Sequence, residues 1–289
     1  MYATALGPIW SLPPLVLRSP AVSPSAEIGA SILQVFMLIP LGATFLLLGA
    51  WPSFGGDPAF SYFQQGLQMA SNNDAEGAIG QFEMAIKLRP DFADAWFNLG
   101  ALLHKKGDTE AAVAALKKDL EIKPDHAEAW NALGLVLEQQ GHAAQAIKLL
   151  SRALGLKPDL FEARHNLAIA LAADGHFQQA VDQCKLVIAE RPKWSPPRLT
   201  MARAYESLGR GDTAAESYRE MLRLDPYSAV GHYRLGQLLA HAGEAAQALQ
   251  ELRQAAKQDP AGKSYHYALA RALKDAGHDE EAQAELIKV

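Results

Sequence analysis

The sequence predicts an all-α protein, a solenoid of stacked helical repeats preceded by one membrane-spanning helix. Proline, glycine and alanine each recur at an interval of 34 residues, and a separate uncharged, apolar segment covers residues 28–50. A fixed period near 34 residues is typical of stacked helix pairs. The recurring prolines are Pro90, Pro124, Pro158, Pro192, Pro226 and Pro260.

Residues 1–27 are predicted to form an irregular, proline-rich arm. Proline cannot lie inside a regular helix without removing a hydrogen bond, so this segment cannot be one continuous helix. Apolar side chains such as Trp10 and Leu15 could contact a membrane or a partner.

Residues 28–50 are predicted to form one transmembrane helix, followed by a linker at 51–58. Twenty-three residues at about 1.5 Å each reach roughly 35 Å, enough to cross the hydrocarbon core. A cleaved signal peptide and a buried globular helix are the alternatives. The apolar segment is long for a signal peptide, and 27 residues is an unusually long leader.

Charge around this segment predicts how the chain is oriented. Arg18 precedes the segment, and no lysine or arginine follows it before Lys87. Positive residues favour the cytoplasmic side. We therefore expect a single-pass protein of the bacterial inner membrane, with its repeats on the extracytoplasmic side.

Residues 59–289 are predicted to form seven repeats of helix, tight turn, helix and turn. With Ala59 as position 1, positions 4, 7 and 11 share one helical face, and positions 8 and 20 are small, so that a neighbouring helix can approach. Glycine at position 15 ends the first helix, with Asn73 in its place in the first repeat. The repeats are 59–92, 93–126, 127–160, 161–194, 195–228, 229–262 and 263–289.

The segment from Trp96 to Gly100, together with Ala112 and Pro124, resembles the consensus of the tetratricopeptide repeat family. The resemblance implies a right-handed superhelix whose first helices line a concave groove, where ligands of the family commonly lie. Two departures stand out: the aromatic residue at position 4 is lost from Arg164 onward, and Asp119 replaces a small residue at position 27.

The resemblance implies that positions 5 and 9 face this groove. Helix packing is not expected to need these positions, so their apolar residues in the first five repeats indicate exposed interaction surface. Tyrosine and arginine in the later repeats favour aromatic and carboxylate contacts. The candidate partner-binding residues are Phe63, Leu67, Phe97, Asn131, Leu135, His165, Ile169, Leu199, Arg203, Tyr233, Tyr267 and Arg271.

These observations predict a non-catalytic, membrane-tethered scaffold that binds a polypeptide in the groove, with the assembly of a membrane or envelope complex as a candidate role. A stable structural subunit of a larger membrane complex is the alternative. The groove residues could also contact the protein's own arm or a second copy. The oligomeric state stays open.

The sequence offers no motif for catalysis, a cofactor or a metal, so we expect none of these. The lone Cys184 lies at a core position of the fourth repeat. Repeated histidines in adjacent turns, such as His142 and His176, are too far apart to share a zinc ion. A net charge of −5 gives no indication of a nucleic-acid partner.

Overall fold

The computed structural model describes residues 57–289, which form seven helix pairs stacked in chain order, and the predicted all-α solenoid is confirmed. The first helices of the pairs are α1 (Pro58–Ser71), α3 (Ala93–Lys106), α5 (Ala127–Gln139), α7 (Phe161–Ala173), α9 (Pro196–Ser207), α11 (Ala229–His241) and α13 (Lys263–Asp275). The second helices are α2 (Ala75–Leu88), α4 (Thr109–Ile122), α6 (Ala143–Leu156), α8 (Phe177–Glu190), α10 (Gly211–Leu224), α12 (Ala245–Gln258) and α14 (Asp279–Leu286).

The solenoid begins slightly earlier than predicted. Asp57 caps α1 by accepting a hydrogen bond from the Ala59 amide at 3.0 Å, and Pro58 is the first helical residue. Both belong to the linker predicted at 51–58. The predicted arm, the predicted transmembrane helix and residues 51–56 lie outside the described residues. From residue 57 onward, every helix is too short or too polar to cross a bilayer.

Position 15 reverses the chain between the two helices of each pair. Gly107 has a φ of 91°, and glycine at the equivalent position of the next five repeats also has positive φ. Asn73 adopts a φ of 63° in the first repeat. Glycine, and next to it asparagine, adopts this left-handed conformation at low cost, which confirms the predicted turn.

The recurring prolines separate one repeat from the next. The helix α2 ends at Leu88, two residues before Pro90, and Arg89 between them has an extended backbone with φ −138° and ψ 87°. A residue that precedes proline is pushed out of the helical region by contact with the proline ring. Helices α4, α6, α8, α10 and α12 end in the same way.

Small residues at position 8 bring the helices of one pair together. A Cβ atom added at Gly100 would lie 2.8 Å from Leu116 Cγ, and one added at Gly134 would lie 2.7 Å from Leu150 Cγ. Leu116 and Leu150 occupy position 24 and are fully buried. Glycine at position 8 therefore allows the close approach of the buried leucine at position 24 in these repeats.

Position 4 joins five of the seven repeats to the preceding proline through one recurring hydrogen bond. Trp96 Nε1 donates to the Pro90 carbonyl at 2.9 Å, and Trp130 Nε1 donates to the Pro124 carbonyl at 2.9 Å. The same bond is made in three of the four repeats from Arg164 onward, whereas Arg198 of the fifth repeat donates to the Trp194 carbonyl at 3.3 Å. The later donors of the recurring bond are Arg164 to Pro158 at 2.6 Å, His232 to Pro226 at 3.0 Å and His266 to Pro260 at 3.0 Å.

Both histidines at position 4 also have a polar partner at position 23 of the second helix. His232 Nδ1 lies 2.6 Å from Glu251 Oε2, and His266 Nδ1 lies 2.5 Å from Glu285 Oε2. These contacts connect the two helices of the sixth and seventh repeats. Repeats with tryptophan at position 4 have Ala115 or Leu149 at position 23 instead.

A buried ion pair occupies the place where position 27 departs from the family pattern. Asp119 is fully buried, and its Oδ2 lies 2.7 Å from Nδ1 of His126. Burial raises the pKa of Asp119, and the bond to His126 opposes that rise. Among residues 57–289, no group donates a hydrogen bond to Asp119 Oδ1. The pair links α4 to the turn that leads into α5.

The core runs along the stack between the two layers of helices. Tyr218 and Phe82 are among its largest fully buried side chains. Cys184 is fully buried in the same core, as predicted, and burial raises the pKa of its thiol to about 12. Such a thiol stays protonated and unreactive at neutral pH.

Candidate partner-binding groove

The first helices form the inner wall of the stack. Neighbouring first helices contact one another directly, as α5 does with α7 and α7 with α9, whereas neighbouring second helices have almost no contact. In a curved stack, the layer whose members approach most closely lies on the inside. The groove therefore runs along α1, α3, α5, α7, α9, α11 and α13.

Half of the twelve predicted groove residues are buried within the stack itself. The prediction that helix packing does not need positions 5 and 9 is therefore wrong for these six. None of them is more than 8% exposed. They are Phe63, Phe97, Asn131, Leu135, His165 and Leu199.

Residues at position 34 explain why position 5 is covered. The ring of Phe63 packs on Phe92 with centroids 4.8 Å apart, and Phe97 packs on His126 at 4.8 Å. In the fourth repeat His165 packs edge-on against Trp194 at 4.9 Å. In the first, second and fourth repeats, the turn before the next repeat thus lies over position 5.

The two buried polar residues of this set bond to the next first helix. Asn131 Oδ1 accepts a hydrogen bond from Asn166 Nδ2 at 2.9 Å, and His165 Nε2 lies 3.1 Å from Thr200 Oγ1. Burial lowers the pKa of His165 to about 4, so that its ring is neutral at physiological pH. These residues align neighbouring repeats and are not available to a ligand.

The other six predicted groove residues are at least partly accessible to solvent. Leu67, Ile169 and Tyr233 are half-buried, whereas Arg203, Tyr267 and Arg271 are exposed. The Tyr267 side chain is the most accessible aromatic ring on the inner wall, at 58% exposure. All three exposed residues lie in the fifth and seventh repeats, so the accessible chemistry is concentrated toward the carboxyl end of the groove.

Ordered contacts hold the side chains beside these exposed residues. Tyr233 accepts a hydrogen bond from Gln237 Nε2 at 2.8 Å and packs on Tyr265 with centroids 5.1 Å apart. A tyrosine held in this way presents its ring with little loss of side-chain entropy on binding.

Charged residues at positions 6 and 12, which the prediction did not include as site residues, complete the groove. Arg234 at position 6 lies 4.0 Å from Glu206 at position 12, and the Tyr218 hydroxyl donates to the same carboxylate. Burial raises the pKa of Glu138, and the charge of Arg203 partly offsets that rise. Glu138 and Arg203 belong to repeats three and five, and their interaction shows that both face the inner wall.

A curved stack of helix pairs that presents unpartnered tyrosine and arginine on its inner wall defines an α-helical repeat protein with a recognition surface. The model of the TPR repeat matches residues 61–107 and 102–141, and that of the tetratricopeptide repeat matches 137–204 and 205–272. Together these matches span most of the chain, which therefore belongs to the tetratricopeptide repeat family. Proteins of this family are typically non-catalytic interaction scaffolds.

Solved structures share this fold at low sequence identity. PilW, a widely conserved type IV pilus biogenesis factor, is 21% identical with a TM-score of 0.68, over 73% of this chain and 98% of PilW. YrrB, described as having an unusual peptide-binding site, is 21% identical with a TM-score of 0.51, over 65% of this chain and 96% of YrrB.

A third structure, the Cut9–Hcn1 hetero-tetramer of APC/C, contains a chain that is 18% identical with a TM-score of 0.68. The match covers 76% of this chain but only 43% of that one. No curated protein sequence matches the chain. The likenesses to solved structures therefore establish the fold alone.

Proposed function

We propose that this protein is a non-catalytic scaffold, tethered to a membrane, that binds a segment of a partner polypeptide along its inner wall. The observation that carries the proposal is the exposure of Arg203, Tyr267 and Arg271 on that wall. None of the three has an ion pair, hydrogen bond or ring contact within residues 57–289. Tyrosine and arginine are the residue types most enriched at the centres of protein interfaces.

The stack explains how such a surface would work. Because the first helices from α3 to α9 contact their neighbours, as do α11 and α13, the groove side chains keep a fixed spacing along these parts of the wall. A partner segment would bind to a surface that is already ordered, so little conformational entropy is lost on the scaffold side. The protein would then act by recognising and positioning its partner, and its activity would involve no chemical step.

Membrane tethering rests on the uncharged segment 28–50 and on the charge around it. Anchoring would confine the repeats near one membrane surface and raise their effective concentration for a partner in the same membrane. We place the repeats on the extracytoplasmic side of a bacterial inner membrane. The short linker keeps the groove close to the bilayer.

Photocrosslinking in cells tests the groove. The full chain would carry a photoreactive amino acid at Gln237 on the inner wall or, as a matched control, at Arg219 on the exposed side of α10. We expect one discrete crosslinked partner from Gln237 and none from Arg219. Equal crosslinking from Gln237 and Arg219 would contradict the proposal. So would the absence of any crosslink both from Gln237 and from a second variant with the photoreactive residue at Tyr267. A stoichiometric complex that survives detergent extraction would favour a permanent subunit.

Membrane association needs a separate test. Arginine at the centre of a transmembrane helix costs about 2.5–3.5 kcal/mol on insertion. The Leu38→Arg/Ile39→Arg variant should therefore leave the membrane pellet after carbonate extraction, while the unchanged chain stays in it. An equal soluble fraction for both chains would refute the anchor, and protease protection in spheroplasts would report the side on which the repeats lie.

A further inference from the structure

We infer that repeats five to seven bind an acidic segment of the partner chain, an inference that rests on the proposed function and names the partner's chemistry. Arg203 and Arg271 occupy position 9 in the fifth and seventh repeats, and Lys274 lies one turn beyond Arg271. All three side chains are exposed. Within residues 57–289 none of them forms an ion pair.

Most carboxylates around these cations are already engaged. Glu206 accepts from Tyr218 and faces Arg234, Glu251 is bonded to His232, and Glu285 is bonded to His266. Two carboxylates are exceptions: Asp275 is exposed at the end of α13, and the charge of Glu138 in the third repeat interacts with that of Arg203. Arg203 therefore has a partial counter-charge, whereas Arg271 and Lys274 form no ion pair within residues 57–289.

The amino-terminal half of the groove has the opposite character. Position 9 is apolar in the first four repeats, and position 2 carries Asp94, Glu128 and Glu162. Glu128 is paired with Lys157 at 2.8 Å and Glu138 interacts with Arg203, so Asp94 and Glu162 are the other two carboxylates of this half. An acidic segment would meet no cation at position 9 there and two arginines at position 9 in repeats five and seven, so the pattern also predicts where the segment lies.

The residue types fit carboxylate recognition by a polypeptide. An arginine guanidinium can bind a carboxylate through two parallel hydrogen bonds, and the nearby rings of Tyr233 and Tyr267 offer apolar surface to the intervening backbone and side chains. A nucleic acid would meet the acidic half of the same wall and a chain of net charge −5. The charge distribution therefore favours a short acidic stretch over a long polyanion.

Fluorescence anisotropy with defined probes tests the inference on the full chain in non-ionic detergent. The probes are labelled octaglutamate, the isosteric octaglutamine and an eight-nucleotide single strand of thymidylate. We expect octaglutamate to bind at least about tenfold more tightly than octaglutamine, and its affinity to fall as salt is raised. Binding of the nucleotide as tight as that of octaglutamate would overturn the inference.

Matched variants locate the binding site. Arg203→Gln/Arg271→Gln should weaken octaglutamate binding by about tenfold or more. Arg219→Gln/Arg223→Gln removes the same charge from the outer helix α10 and should change the affinity less than about twofold. All four arginines are exposed, so unchanged circular dichroism is expected for both variants. Equal weakening by the two variants would refute a site in the groove.

Crosslinking separates this inference from the proposed function. A photoreactive residue at Gln237 should capture octaglutamate, and one at Ala101, the same position in the second repeat, should not. If Gln237 crosslinks a cellular partner but octaglutamate does not bind, the scaffold function stands and the acidic specificity is wrong. Equal capture of octaglutamate at Ala101 would also overturn the inference.

Discussion

His232, at position 4 of the sixth repeat, has a hydrogen-bond acceptor beside each of its ring nitrogens. Its Nε2 faces the Pro226 carbonyl and its Nδ1 faces the Glu251 carboxylate. A neutral ring has only one N–H and would leave one contact without a proton. The hydrogen bond to Glu251 accordingly raises the pKa of His232, although burial opposes the rise.

The stability of the sixth repeat should therefore depend on pH. A histidine whose pKa is raised on folding contributes its stabilisation fully below its ordinary value of 6.5, and the contribution is lost as the pH rises through the higher folded value. His232→Trp/Glu251→Leu copies the pair Trp130 and Leu149 of the third repeat. We expect its melting temperature to fall less between pH 6 and pH 9 than that of the unchanged protein.

The same exchange provides its own control. Tryptophan keeps the bond to the Pro226 carbonyl through an N–H group that does not titrate, so the repeat junction is preserved. If the double variant and the unchanged protein lose stability equally over this pH range, another group is responsible for the pH dependence.

The buried pair of Asp119 and His126 predicts a second stability effect. Removing one partner of a buried ion pair leaves an uncompensated charge and costs about 3–5 kcal/mol. His126→Ala should reach that range in urea denaturation. Asp119→Ala/His126→Ala should cost less, because alanine is the usual residue at position 27 and no charge is left in the core. An equal cost for the single and double variants would contradict this explanation.

At the scale of helix pairs, position 8 controls how closely the two helices approach. Gly100→Ala would place a methyl group 2.8 Å from Leu116 Cγ. Overpacking of this kind costs about 1–3 kcal/mol, which outweighs the helix-propensity gain of about 1 kcal/mol. Gly80→Ala in α2 is the matched control, because its Cβ would meet nothing within 4 Å. We expect urea denaturation to show a loss for the first and a gain of up to about 1 kcal/mol for the second.

The helix pairs were predictable because their signals are local. Proline at position 32, glycine at position 15 and small residues at position 8 act through backbone geometry and close contact within one repeat. The coverage of position 5 was not predictable in this way. It depends on the ring at position 34, such as Phe92 or Trp194, folding back 29 residues later in the chain. An aromatic residue at both positions of one repeat was the available signal.

Position in the repeat was a sufficient guide for the exposed part of the site. Arg203, Tyr267 and Arg271 are exposed, in line with the expectation for positions 5 and 9. Arg234 was missed because position 6 faces the preceding first helix in earlier repeats, where Asn166 and Thr200 bond to it. Which of these residues a partner contacts stays a prediction.

At the scale of the whole molecule, the free energy of unfolding should be approximately the sum of contributions from the single repeats and from the contacts between neighbouring repeats. Each helix pair contacts mainly the next pair along the chain, so damage to one repeat is expected to stay local. Phe82→Ala removes a fully buried ring from the first repeat and should cost about 3–5 kcal/mol there. Hydrogen exchange should quicken in α1–α4 and stay unchanged in α11–α14.

A mirror variant completes this test. Leu252 occupies the same position in the sixth repeat and is likewise buried. Leu252→Ala should quicken exchange in α11–α14 and leave α1–α4 protected. If either variant loosens all fourteen described helices together, the molecule unfolds as one cooperative unit and the nearest-neighbour picture is wrong.

The charged residues are distributed unequally between the two halves of the inner wall. Position 2 carries carboxylates in repeats two to four, and position 9 carries arginine in repeats five and seven. A partner segment whose two ends carry opposite charge would therefore bind in one orientation, because reversal brings like charges together at both ends of the groove. The amino-terminal repeats of the scaffold would then always meet the same end of the partner segment.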